Sequence, residues 1–187
     1  MNHTDLLNFV FELGELKRIK HEGWRAIGIE NPESVAEHTL RAAQIGFILA
    51  KLENHPNPYQ VCTMVVFHDI GEARVGDIHK IAKRYITVAE AQATQEQLEP
   101  LGKLGDDIFD LWNQVENQNT PAGIIAKDAD LLEQAVMAKE YLEKGYVAAQ
   151  VWIDNVGKAL KTESAQKLLA SLKNVNYYDW CLRIQSL

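Results

Sequence analysis

Val61-Cys62-Thr63-Met64-Val65-Val66-Phe67-His68-Asp69-Ile70-Gly71-Glu72 is the stretch on which the fold turns. By composition alone the run Val61 to Phe67 suits a buried strand as well as a buried helix, because a short apolar run has no period that separates the two. The surroundings decide for helix: every neighbouring segment has helical periodicity, and no partner strand is visible. The expected fold class is therefore all-α.

Upstream, Ser34-Val35-Ala36-Glu37 has the form of a capping box, in which serine and glutamate satisfy each other's backbone donors. It opens a helix to about Glu53 whose apolar residues, Leu40, Ala42, Ala43, Ile45, Ile48 and Leu52 among them, wrap most of the way round, as in a central helix. Residues 4–21 read as an amphipathic helix with Thr4 as its cap, and residues 22–32, with Gly23, Gly28 and Asn31-Pro32, as a surface loop. Downstream, residues 87–104, 106–117 and 120–144 read as helices, the last with Thr120 as cap, Pro121 at its first position and Gly145 as its stop. The tail, 147–187, supplies two further helical stretches, and its Tyr177, Tyr178 and Trp180 either finish the core or cover a subunit partner. The whole chain, 1–187, is expected to form one compact helical domain with its core at about 34–141 and a metal site among the central helices.

A net charge of -7 disfavours a broad grip on DNA or RNA, whose phosphates need a field of lysines and arginines, while a small phosphorylated ligand needs only a local basic patch. Cys62 and Cys181 lack metal-type spacing and are expected to be buried free thiols. No stretch is long and apolar enough to span a membrane and Met1 to Asp5 does not resemble a signal peptide, so the expected compartment is the cytosol.

Chemistry concentrates where the decisive stretch ends. His38 and His68 lie in apolar helical contexts, where an imidazole needs partners, whereas His3, His21, His55 and His79 look like surface residues. Asp69 follows His68 directly, and Glu72 lies within one helical turn of both. A carboxylate so close to the core costs several kcal/mol unless compensated, and a divalent cation compensates it. Mixed imidazole and carboxylate donors suit manganese, iron, cobalt, nickel or zinc. A further ligand is expected from Lys127-Asp128-Ala129-Asp130, where two aspartates sit on an apolar segment. At about 100° per residue they point to roughly opposite faces, so at most one reaches the site, and the pattern does not choose between them.

His38, then His68-Asp69, then a distant aspartate resembles the ordered H...HD...D signature of the HD phosphohydrolase superfamily. Gly23-Trp24-Arg25, Asn31-Pro32-Glu33-Ser34-Val35-Ala36-Glu37-His38 and His68-Asp69-Ile70-Gly71-Glu72-Ala73-Arg74-Val75-Gly76-Asp77-Ile78 resemble its 5'-deoxynucleotidase branch, over roughly Leu6 to Tyr141. The resemblance selects Asp130, which closes a lysine-x-x-aspartate motif beginning at Lys127. It implies that His38, His68, Asp69 and Asp130 hold a divalent ion (manganese, cobalt, zinc, iron, nickel or magnesium), and that Glu72 and Asp77 serve the attacking water. It further implies that Trp24 lies near the nucleotide, with Arg18, Lys17, Arg25 and Lys127 as its basic surroundings. Some members carry an arginine immediately before that tryptophan, where this chain has Gly23. The implied protein is a homodimeric phosphomonoesterase acting on nucleoside monophosphates. Its rivals are an HD enzyme for nucleoside triphosphates or cyclic dinucleotides, and a catalytically idle metal- or nucleotide-binding regulatory module.

Overall fold

The computed structural model describes residues 2–185; Met1 and the last two residues of the expected tail, 186–187, lie outside them. In chain order the helices are α1 (His3–Leu13), α2 (Val35–Leu52), α3 (Pro58–Val66), α4 (Glu72–Val75), α5 (Glu90–Leu98), α6 (Lys103–Asn117), α7 (Pro121–Glu143), α8 (Gln150–Ala159), α9 (Glu163–Leu172) and α10 (Asp179–Gln185). Among the described residues there is no strand, only an isolated antiparallel bridge between Lys20 and Ser34.

The decisive stretch is a helix. Asn57 caps α3, its side chain accepting from Gln60 N at 3.1 Å, and Pro58 starts it where a missing N–H costs nothing. Val61, Met64 and Val65 form its buried face at three- and four-residue spacing, and burying each such side chain contributes roughly 1.5–3 kcal/mol. The helix ends at Val66, and the chain turns before α4, with Glu72 N donating to Asp69 O at 3.0 Å. His68 and Asp69 therefore occupy a turn between two helices.

The capping box of α2 forms as read: Ser34 N donates to Glu37 Oε2 at 2.6 Å and Glu37 N to Ser34 Oγ at 3.2 Å. Its apolar residues do not wrap the core, however, because Leu40, Ile48 and Leu52 face outward. Apart from Leu49, the part of the inner face that meets the core is made of small residues, Ala42, Ala43, Gly46 and Ala50, which let α3 and α7 approach closely. A Cβ on Gly46 would meet Val65 Cγ2 at 3.1 Å. The centre is instead α7, which buries Ala122, Ile125, Ala126, Ala129, Leu132 and Ala135 against α2 and α3.

Several boundaries differ from the sequence reading. Asn2, not Thr4, caps α1, accepting from Asp5 N at 2.9 Å, and the helix gives way at Gly14 to a 3-10 turn over Gly14–Lys17. The expected loop starts with a 3-10 turn, Glu22–Ile27, and His21 N donates to Glu33 O at 3.0 Å, which brings His21 to the head of α2. The helix expected over 87–104 is shorter, because Pro100 ends regular α-helix in a 3-10 turn and Gly102, at φ 56°, reverses the chain into α6. The tail forms three helices rather than two, and no residue of α10 is buried, so its aromatics do not complete the core. Both cysteines are free but only half-buried.

Asp128 fastens α8 and α9 to α7. It is 1% exposed, and its carboxylate accepts from Lys161 N (3.0 Å), Thr162 N (2.6 Å) and Thr162 Oγ1 (2.7 Å) in the α8–α9 connection. Asp128→Ala strands these donors and is expected to cost about 3 kcal/mol, lowering Tm by roughly 6–12 °C. Thermal unfolding followed by circular dichroism checks this, with cation content retained.

Candidate metal centre and its cavity

Three elements deliver one cluster: the first turns of α2 bring His38, the α3–α4 turn brings His68 and Asp69, and the middle of α7 brings Asp130. His38 Nε2 lies 3.3 Å from Asp130 Oδ1 and 3.9 Å from Asp69 Oδ2. His68 Nε2 lies 3.0 Å from Asp69 Oδ2 and 3.8 Å from Asp130 Oδ1. Such separations suit ligand atoms about 2 Å from a common cation. Both Nε2 atoms are buried and make no hydrogen bond among the described residues, so both are available as donors to a cation. The residues fit a divalent ion. Asp128, two positions from Asp130, points away to the α8–α9 connection, in accord with the helical angle between them.

The other ring nitrogens are already committed. His68 Nδ1 donates to Val65 O at 2.7 Å, and His38 Nδ1 is hydrogen-bonded to Glu133. Each partner directs an Nε2 lone pair toward the cluster. Glu133, 0% exposed, is held in turn by Arg41, whose Nε donates to it at 2.7 Å and whose Nη1 reaches Glu140 at 2.5 Å. The sequence reading missed this support; its one signal is that Glu133 follows Asp130 by one helical turn on an otherwise apolar face. Glu133→Gln is expected to weaken cation binding by about 10- to 100-fold, measured by calorimetric titration.

Burial disfavours imidazolium at His38, but Asp130 and Glu133 outweigh it and hold its pKa well above the usual range. At His68 burial is likewise outweighed, by Asp69 and Asp130, and the pKa is pushed up to about 10. Burial would raise Asp130, but Lys127, at 2.8 Å, and the two histidines hold it well below the usual carboxylate range. A cation must displace imidazole protons, so its apparent affinity should rise with pH, by about tenfold per pH unit for each proton displaced, until His68 titrates near 10. Titrations with zinc or manganese at pH 6, 7 and 8 in buffers of different ionisation enthalpy would count those protons; a pH-independent affinity contradicts the scheme.

The cluster opens into a cavity of about 420 Å³. Glu72 and Asp77 line it, and Asp77 Oδ2 accepts from Glu22 N at 2.7 Å, tying the segment after α4 to the turn that carries Trp24. Glu72 is 9% exposed; burial, then Asp69, Asp77 and Glu90, pushes its carboxyl up to about 9 in the cation-free protein. Trp24 and Lys127 also line the cavity. Arg18 and Arg25 are not brought there: Arg18 pairs with Glu15 at 2.8 Å, and Arg25 with Glu22 at 2.8 Å, on the exposed surface. The cationic lining comes instead from Lys80, Lys83 and Lys127. His21 and His79, read as surface residues, line the cavity too, and the His21 ring packs on His38 with centroids 4.5 Å apart. Chain closure between His21 and Glu33 moves His21 inward, a long-range effect with no periodic signal.

Fold and site together give a helical protein in which two buried histidines meet two aspartates, a donor set that suits a divalent cation, at the edge of a cavity lined with carboxyl groups. Comparison with known proteins gives the same class. An HD domain model matches residues 13–172. The 5'-deoxynucleotidase HDDC2 of Dictyostelium discoideum is 35% identical over 148 residues, covering 74% of this chain and 78% of that protein. The solved structure of the predicted coding region AF1432 from Archaeoglobus fulgidus superposes with a TM-score of 0.69 at 31% identity, covering 91% of this chain and 94% of that one. The cyanophage S-2L HD phosphohydrolase DatZ, solved with dA and one catalytic Zn2+ ion, shares the fold at a TM-score of 0.58 and 18% identity, over 88% of this chain and 96% of its own. The chain belongs to the HD domain family of phosphohydrolases, in the branch whose curated relatives are named 5'-deoxynucleotidases.

Proposed function

We propose that the protein is a divalent-metal-dependent 5'-deoxynucleotidase that converts a deoxynucleoside monophosphate and water to a deoxynucleoside and orthophosphate. The observation that carries this reading is that the cluster of His38, His68, Asp69 and Asp130 opens, through His38, Asp69 and Asp130, into the cavity that Glu72 and Asp77 line.

His38, His68, Asp69 and Asp130 hold the cation, drawn from manganese, cobalt, zinc, iron, nickel or magnesium. When bound, it lowers the pKa of water and withdraws charge from the phosphoryl group. Glu72 accepts the proton of the attacking water and carries it toward the leaving 5'-oxygen as the phosphorus–oxygen bond breaks. Asp77, fixed by the Glu22 amide, orients Glu72's water and faces the nucleoside. Lys127, held charged beside Asp130, contributes positive potential to the phosphate. Trp24 is 2% exposed and supports the nucleoside wall from beneath.

Among the described residues no helix is long and apolar enough to cross a membrane, and the reaction suits a cytosolic protein. Exposed apolar residues on α10, Trp180, Leu182 and Ile184, support a homodimer, which sedimentation velocity tests. Product analysis tests the activity. Deoxynucleoside and orthophosphate released from dAMP, with dATP and cyclic dinucleotides left intact, are the expected result; release of pyrophosphate or triphosphate from dATP in place of dAMP hydrolysis contradicts it.

A further inference from the structure

A mononucleotide whose phosphate lies at the metal centre still needs a surface for its base. The same cavity is walled on another side by α8, through Val151, Trp152 and Asn155. Of the aromatic side chains that line it, Trp24 is 2% exposed, with Trp152 stacked on it at 4.9 Å and Tyr141 against its edge at 5.1 Å. His21 packs on His38. Trp152 is only partly buried and keeps indole surface toward the cavity. Its stack on Trp24, together with the Asp128 anchor just beyond α8, fixes its position before any ligand arrives.

Gly23 gives this surface room. A Cβ built on Gly23 would lie 3.7 Å from His79 Cβ and 3.8 Å from Trp152 Cζ2, ordinary van der Waals contact with each. His79 and Trp152 therefore both border the space over Gly23, and a side chain longer than a methyl group would compete for it. Stacking on an indole suits every base because each has a π face.

We infer that the base of the nucleotide is received over Gly23, between His79 and Trp152, and that Trp152 of α8 is its stacking platform. The inference rests on the 5'-deoxynucleotidase reading and names the part of the site that recognises the nucleoside.

The test compares kcat/KM for dAMP with kcat/KM for 2-deoxyribose 5-phosphate, which carries the same phosphomonoester without a base. The ratio is insensitive to a general loss of folded or metal-loaded enzyme, since that lowers both values together. Trp152→Ala is expected to reduce the ratio by about tenfold or more, chiefly through KM for dAMP, and Trp152→Phe to restore most of it. Gly23→Val, which fills the space instead of removing the platform, should reduce it as well. A ratio unchanged in Trp152→Ala and Gly23→Val overturns the inference while leaving the phosphatase activity in place. Wild-type enzyme that cleaves the two substrates equally well also overturns it. Wild-type enzyme that cleaves neither substrate overturns the functional reading itself.

Discussion

Asp69→Ala is expected to abolish both cation retention and phosphate release, with turnover falling by a factor on the order of 10³ or more. Asp69 lies close to both imidazoles of the cluster, and its carboxyl is held down to about 2, with His68 outweighing the effect of burial. Its side chain is 19% exposed, more than that of Asp130 at 6%, so its removal disturbs packing least among the two carboxylates. Without it the two histidines and Asp130 remain as a three-ligand site with one charge fewer. Metal analysis and orthophosphate release on the same preparation check the prediction. A variant that stays active and retains its cation would remove Asp69 from the ligand set.

Glu72→Gln should separate catalysis from metal binding. Glutamine keeps the size of the side chain but cannot take a proton, and general acid–base catalysis of this kind contributes about 10²- to 10⁴-fold. Turnover should fall by that order while cation content is retained. The raised pKa of Glu72, about 9 in the cation-free protein, comes first from burial and then from Asp69, Asp77 and Glu90, so a nearby dication would favour its ionised form. Equal loss of metal in Glu72→Gln and Asp69→Ala would identify Glu72 as a ligand instead of a proton carrier.

The parts of this architecture that were legible in the sequence are those with a local cause. The capping box at Ser34 and Glu37, the Thr120-Pro121 start of α7 and the face formed by Val61, Met64 and Val65 each follow from residues within a turn or two of one another. The His68-Asp69 pair stood out for the same reason, at the end of an apolar run. Asp130 needed more: helical spacing separates it from Asp128 without choosing between them, and only the lysine-x-x-aspartate resemblance made the choice. In the fold, Asp128 turns to the α8–α9 connection and Asp130 to the histidines.

What escaped the sequence depends on distant closure. Glu133 reaches His38 and Arg41 across more than ninety positions, and no local pattern pairs them. Arg18 and Arg25 neighbour Trp24 in sequence, but the 3-10 turns at Gly14–Lys17 and Glu22–Ile27 direct them to surface glutamates. His21, by contrast, is drawn against His38 by pairing with Glu33. Trp152 belongs to a tail helix whose relation to the cavity exists only once α8 packs on α7. The break at Pro100 and Gly102 lies inside an otherwise helical composition, which masks the end of α5.

The most direct measurement is orthophosphate release from a panel of ribo- and deoxynucleoside monophosphates by chelator-stripped protein, before and after single divalent metals are restored. The account predicts no release from the stripped protein, recovery on adding back manganese, cobalt or zinc, and a preference for the deoxynucleotides. Full activity in protein shown to be free of metal, or silence across the panel with one cation bound per chain, would contradict it.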